Sequence, residues 1–184
     1  MKNKINTSFL LILAAILFMA CDKQQSVQEY YVEKQDNGNF IAIDLPASII
    51  KLSENASEET KETLGSIKKL NILAFQINDE NEADYETEYA NIKEILKGDQ
   101  YNELMRMKHE NFNIVINYQG EDDAVDEFLL FASDRKQGFA LARILGDNMQ
   151  PAKIMKLAND MKGLDEDGEG FSELTNLFKG VDIN

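Results

Sequence analysis

The chain has 184 residues with one cysteine and one histidine, and 33 acidic side chains against 19 basic ones give a net charge of −14. Such a charge repels nucleic acid and anionic headgroups alike, which excludes nucleic-acid binding and a basic membrane-surface patch. The length suits one domain plus a leader. A single cysteine allows no internal disulfide, and a domain of roughly 150 residues, burying about 68–70% of its unfolded surface, needs none.

Residues 1–20 read as an export signal. Lys2 and Lys4 make a positive start, and Phe9 to Ala20 is an almost unbroken apolar run. The run is shorter than the roughly 20 apolar residues of a membrane-spanning helix and has the length of a secretory h-region. Ala20 then precedes the only cysteine. Phe18-Met19-Ala20-Cys21 resembles the lipobox of bacterial lipoproteins, with Phe18 and Met19 standing where Leu and a small residue are commoner. That resemblance implies that the Cys21 thiol takes a diacylglycerol, that the cut falls just before it, and that palmitate-type acylation of the new N-terminus follows. The acyl chains exceed the two-chain threshold for stable anchoring. Residues 21–28 form a polar tether that reaches roughly 25 Å when extended. No acidic run of the kind that directs lipoproteins to the cell surface follows Cys21. The expectation is a cell-envelope protein held by its lipid on the outer membrane and facing the periplasm. Asp22 is an inner-membrane retention cue in enteric bacteria and leaves that alternative open.

The domain proper is expected over 29–162. Tyr30-Tyr31-Val32-Glu33 and Phe40-Ile41-Ala42-Ile43 flank Asp36-Asn37-Gly38-Asn39 and read as a hairpin. Pro46 opens a short helical turn through Ile49, Ile50 and Leu52. Ser57 is an N-cap for a helix with Leu64 and Ile67 facing inward. Leu70 to Ile77 is strand-like, with Leu73, Phe75 and Ile77 on one face. Residues 78–84 are loop-like, and Asp84 to Lys97 is helical, with Tyr85, Tyr89, Ile92 and Leu96 in line and Gly98 closing it.

An antiparallel meander follows. Its strands are Tyr101 to Lys108, Phe112 to Tyr118, Phe128 to Ala132 and Phe139 to Leu145. Phe112, Ile114, Ile116 and Tyr118 form one buried face, while Phe128 to Ala132 is apolar on both faces and suits a central strand. Pro151 starts a last helix, with Ile154, Leu157, Ala158 and Met161 at helical spacing. The fold class that results is α+β: one mostly antiparallel β-sheet with helices packed on one face.

The order of elements, from about Tyr30 to Asn159, resembles domain-of-unknown-function family 4252, small exported lipoproteins of Gram-negative bacteria. The local carriers are Asn39-Phe40-Ile41-Ala42-Ile43-Asp44, Ile67-Lys68-Lys69-Leu70-Asn71-Ile72-Leu73, Tyr101-Asn102-Glu103-Leu104-Met105-Arg106-Met107-Lys108 and Asp126-Glu127-Phe128-Leu129-Leu130-Phe131, with Leu145-Gly146-Asp147-Asn148-Met149 leading into the closing helix. The Tyr-x-x-Leu-Met segment is the most specific of these. The resemblance implies an α+β lipoprotein and carries no catalytic residues.

The search for chemistry yields little. His109 is the only histidine and has no partner for a zinc site; beside Glu110 it reads as a surface residue. No triad, phosphate loop or dinucleotide fingerprint can be drawn. With 33 acids, a carboxylate pair for hydrolysis has no weight as evidence.

The tail, residues 163–184, is acidic and carries a short amphipathic helix with Phe171, Leu174, Leu177 and Phe178 as its apolar face, expected to dock on the domain. Within it Asp165, Asp167 and Glu169 resemble positions one, three and five of an EF-hand loop, with Gly170 at six. Asn176 replaces the bidentate Glu at twelve and Ser172 the aliphatic at eight. A solvated acidic linker is the favoured reading, and weak Ca2+ binding at these residues is the alternative. Tyr85, Tyr89, Met105 and Met107 are expected in the core rather than in a ligand pocket.

The functional expectation is a non-enzymatic binding or regulatory module with no resident cofactor. Its expected partners are the membrane, through the lipid, and an envelope protein. The alternatives are a carboxylate-dependent hydrolase and a calcium-binding module through 165–176.

Overall fold

The computed structural model describes residues 24–50, 52, 56–109 and 111–162. The elements in chain order are α1 (Val27–Lys34), β1 (Phe40–Pro46), a 3-10 turn (Ala47–Ile49), α2 (Glu58–Ser66), β2 (Ile67–Gln76), α3 (Glu82–Ile95), β3 (Asn102–His109), β4 (Phe112–Glu121), β5 (Ala124–Asp134), β6 (Gly138–Met149) and α4 (Pro151–Lys162). None of the described helices is long and apolar enough to cross a membrane.

The segment expected to be the first strand of a hairpin is a helix. Ser26 is its N-cap: the hydroxyl accepts the Glu29 N–H at 3.2 Å, and the Glu29 carboxylate accepts the Ser26 N–H at 2.8 Å. This reciprocal capping box satisfies two donors that would otherwise lie open at the helix start. It outweighs the strand preference of Tyr30-Tyr31-Val32, and Val27, Tyr30 and Tyr31 fall on one buried face at helical spacing. The helix also shortens the tether expected through Gln28. Val27 and Gln28 lie in α1, and the Gln24 amide already donates to the Glu94 carbonyl at 2.6 Å.

The remaining elements follow the expected order. Pro46 precedes the 3-10 turn, Ser57 caps α2, and β3 to β6 form the meander. All six strands make one antiparallel sheet in the order β1-β2-β6-β5-β4-β3, so the β1–β2 ribbon is stitched to the meander through β6.

The α+β class and the antiparallel sheet agree with the sequence. The helices, expected on one face, divide between the two. On the first face, α1 and α3 pack Val27, Tyr30, Tyr31, Tyr85, Ile92 and Ile95 against Phe40, Leu73, Phe75, Leu129, Phe131, Phe139 and Leu141. On the second, Ile154 of α4 packs with Phe128, Val125 and Met149, against Ile116, Tyr118 and Ile144. There α2 is tied to α4 by the Lys156–Glu59 ion pair. The physical reason is that β2, β5 and β6 are apolar on both sides, so neither side can be left wholly to water.

The turn from β5 into β6 depends on Gly138. Its φ is +120°, and a Cβ there would lie 1.9 Å from the Phe75 carbonyl oxygen on the neighbouring strand. Gly138→Ala should therefore cost roughly 3 kcal/mol through strain and lost β2–β6 pairing. Gly38→Ala, where nothing lies within 4 Å, should shift stability by less than about 0.5 kcal/mol. Urea unfolding midpoints of the two variants check this.

Candidate functional site: an open apolar half of the sheet

The strand register fixes which residues share the second face. One row across all six strands is Ile41, Ala74, Ala140, Ala132, Ile114 and Met107. The adjacent row is Ile43, Ile72, Ala142, Leu130, Ile116 and Met105. Neither row contains a polar side chain. The next row, Leu45, Leu70, Ile144, Phe128, Tyr118 and Asn102, runs beneath α4. Among the described residues, the helices of this face cover one end of the sheet, reaching Ile116 of the second row, and leave most of the two apolar rows without a helix over them. Leu130 is 36% and Met107 39% exposed, Ile72 and Ala74 are buried, and the other eight residues are half-buried.

The relief of this surface is uneven. Ala74, Ala140 and Ala132 are neighbours on the three central strands, and Ala142 adjoins them. Isoleucines on β1 and isoleucine and methionine on β4 and β3 flank them. In the first row small side chains lie between large ones and make a shallow apolar trough, which narrows in the second row to Ala142 between Ile72 and Leu130. Contiguous apolar surface of this kind is the feature by which candidate docking surfaces are recognised.

The opposite face carries a polar row beneath α1: Asp44, Asn71, Arg143, Leu129, Asn117 and Glu103 are register neighbours. Arg143, 8% exposed, grips Glu127, 6% exposed, with both arms of its fork: Nε donates to Oε1 at 2.6 Å and Nη2 to Oε2 at 3.1 Å. The third arm, Nη1, donates to the Gln28 side-chain oxygen of α1. The Tyr101 hydroxyl accepts the Val27 N–H at 3.0 Å. Burial raises the Tyr101 phenol above its ordinary range, and the Val27 hydrogen bond partly offsets this. At the other end of α1 the Tyr30 hydroxyl donates to Glu88 at 2.6 Å. Burial and then that carboxylate hold Tyr30 protonated far above the usual phenol range. These bonds latch α1 onto the face opposite the trough.

The buried carboxylates are therefore committed to structure. Glu127 is held by Arg143, and Asp134 accepts the Lys136 and Gln137 N–H groups in its own turn at 2.7 and 2.9 Å. Among the described residues no three His, Cys, Asp or Glu side chains converge as a metal site. The Asn117 side-chain oxygen is buried without a hydrogen-bond partner. A shallow cleft of about 310 Å³ between the 3-10 turn and α2 is lined by Ala47, Ile50, Leu52 and Leu64, with Ser48 and Lys61 its polar side chains.

Cys21 and the acidic positions Asp165, Asp167 and Glu169 lie outside the described residues. His109, the only histidine of the sequence, ends β3 opposite Phe112. Tyr85 and Tyr89 belong to the core as expected. Met105 and Met107 do not: they end the two open rows. The alanines and Leu130 were missed because their alternation looks like any two-sided central strand; only the register across six strands assembles them. Arg143 and Glu127 lie 16 positions apart and give no local signal.

The family model described as "Domain of unknown function (DUF4252)" matches residues 30–157. No curated protein and no solved structure matches the chain.

The ion pair makes a measurable statement. Removing one partner leaves a buried charge, so Arg143→Leu or Glu127→Leu alone should cost about 3–5 kcal/mol. The double Leu variant should cost far less than the sum. A double-mutant cycle by urea denaturation checks this, and additive losses would show that the two groups do not act as a pair.

Proposed function

Taking as premise that the chain belongs to the DUF4252 family, whose function is unknown, we propose that it is a non-enzymatic binding module held at the cell envelope. In this reading residues 1–20 are removed on export, Cys21 carries the lipid, and the domain faces the periplasm from the outer membrane. The open half of the sheet is the docking surface for an apolar helix of an envelope protein. The observation that carries the reading is the pair of unbroken apolar rows, Ile41 to Met107 and Ile43 to Met105, which the described helices leave uncovered except at Ile116, on a chain with net charge −14. A contiguous apolar patch on a strongly charged surface supports a binding role. The placement of α1 fits the same reading. In this reading the helix that follows the anchor is latched to the face opposite the trough.

Two measurements test it. In intact cells, a photo-crosslinking amino acid at Leu130 of the lipid-anchored protein should yield a discrete adduct with an envelope protein. The same probe at Lys93 on α3 should not, and Ala140→Asp should abolish the Leu130 adduct. Equal labelling from both positions would sink the docking assignment. For the anchor, Cys21→Ser should leave the precursor uncleaved before position 21 and lacking acyl label. A Cys21→Ser protein that is processed normally and stays in the membrane fraction would refute lipidation.

A further inference from the structure

The docking surface has a candidate occupant in the chain itself. This inference rests on the reading of the open half as a docking surface and concerns its regulation. Six strands at about 4.8 Å spacing and two same-face rows about 7 Å apart give the open half an extent on the order of 24 by 14 Å. That is an area of roughly 350 Å², well short of the roughly 800 Å² per partner of a standard stable interface. A second copy packed face to face is therefore disfavoured on size. One α-helix, about 10 Å across and rising 1.5 Å per residue, fits the trough with two or three turns.

The chain continues past Lys162 as residues 163–184, from a helix already lying on this face. In that stretch Phe171, Leu174, Leu177 and Phe178 recur at the spacing of one helical face. The acidic stretch 163–170 reaches about 28 Å when extended, enough to cross the width of the sheet. Tethering also favours the chain's own segment over an external helix, because its effective concentration at the trough is in the millimolar range.

We propose that Phe171, Leu174, Leu177 and Phe178 occupy the trough over Ala74, Ala132, Ala140 and Ala142, and that an external helix must displace them. The C-terminal segment is then a cis competitor that sets the threshold for partner binding.

The test uses the full-length, lipid-anchored chain with the photo-crosslinker at Leu130. The expected main product is intramolecular, mapping by mass spectrometry to residues 171–178. Leu174→Glu should reduce it roughly tenfold, the effect of losing one buried leucine from a weak docking equilibrium. Truncation after Lys162 should raise the yield of the external adduct by a similar factor. A main product that joins two copies, distinguished by isotope-mixed chains, would overturn the proposal, as would one that maps only to lipid or to an external protein in the full-length chain.

The two readings fail separately. An external adduct that truncation does not change leaves the docking surface standing and removes the cis competitor. A tail adduct with no external adduct from the truncated chain leaves the trough as core closed by the tail and removes the binding module. Circular dichroism of the Leu174→Glu protein guards against loss of the fold.

Discussion

Strand β6 is the constraint on which the other elements depend. It is the seam between the β1–β2 ribbon and the meander, hydrogen-bonded to β2 on one side and to β5 on the other. Along it Phe139, Leu141 and Arg143 point to one face and Ala140, Ala142 and Ile144 to the other. The first set meets aromatic rings: Phe139 lies 5.6 Å from both Phe75 and Phe131, centroid to centroid. The second set is small at one end and large at the other. That taper decides how much cover each face receives. Where Ile144 stands, α4 and α2 close over the sheet; where Ala140 and Ala142 stand, no described element does.

Covering a six-stranded sheet on both faces demands more helix than the described chain has. The face under α1 and α3 is closed because α3 is long, and because α1 adds Tyr30 and Tyr31 to the aromatic cluster around Phe40 and Phe75. It is also closed by polar bonds, since Arg143 spends all three sides of its guanidinium on Glu127 and Gln28. A buried bidentate pair adds little net stability over an apolar one, but it enforces a single position for what it touches. Here it touches α1. Among the described residues the helices of the other face are joined by a surface pair, Lys156 to Glu59, of the kind that contributes little. The asymmetry between the faces is thus a difference in how firmly their helices are specified.

Much of this was legible in the sequence, and the failures have physical causes. The meander, the Ser57 cap, the Pro46 turn and the helix over Tyr85 to Leu96 follow from local periodicity and capping. Val27 to Lys34 was misread because Tyr, Tyr and Val are strand formers next to an Asn-Gly turn. The countervailing signal, Ser26-x-x-Glu29, lay just upstream and is as local as the one that misled. The two-sided sheet was half visible, since Phe128 to Ala132 reads as apolar on both faces, and a strand of that kind needs cover on both. Alternation along β4 identified the strand but not the destination of each face. Asn117 falls on the side expected to be wet and is 4% exposed, whereas Ile114, on the side expected to be dry, stays half open. Which face of a strand is buried is a property of its neighbours, and the trough exists only as a register across six of them.

The net charge of −14 and the apolar trough belong together. A strong single-sign field repels copies of the domain that approach within the screening length of about 8 Å at physiological salt, which opposes self-association through an open apolar face. The same field selects against anionic partners and against acidic helices. The tail 163–184 is itself acidic, and its affinity for an acidic domain is lowered by that repulsion while its tethering raises it. Only the repulsion depends on salt. Raising ionic strength weakens the repulsion and leaves the tethering unchanged, which shifts the trough toward its own segment and away from a partner drawn in by opposite charge. On the proposed reading, an external helix that competes at low salt is one with basic residues around its apolar face.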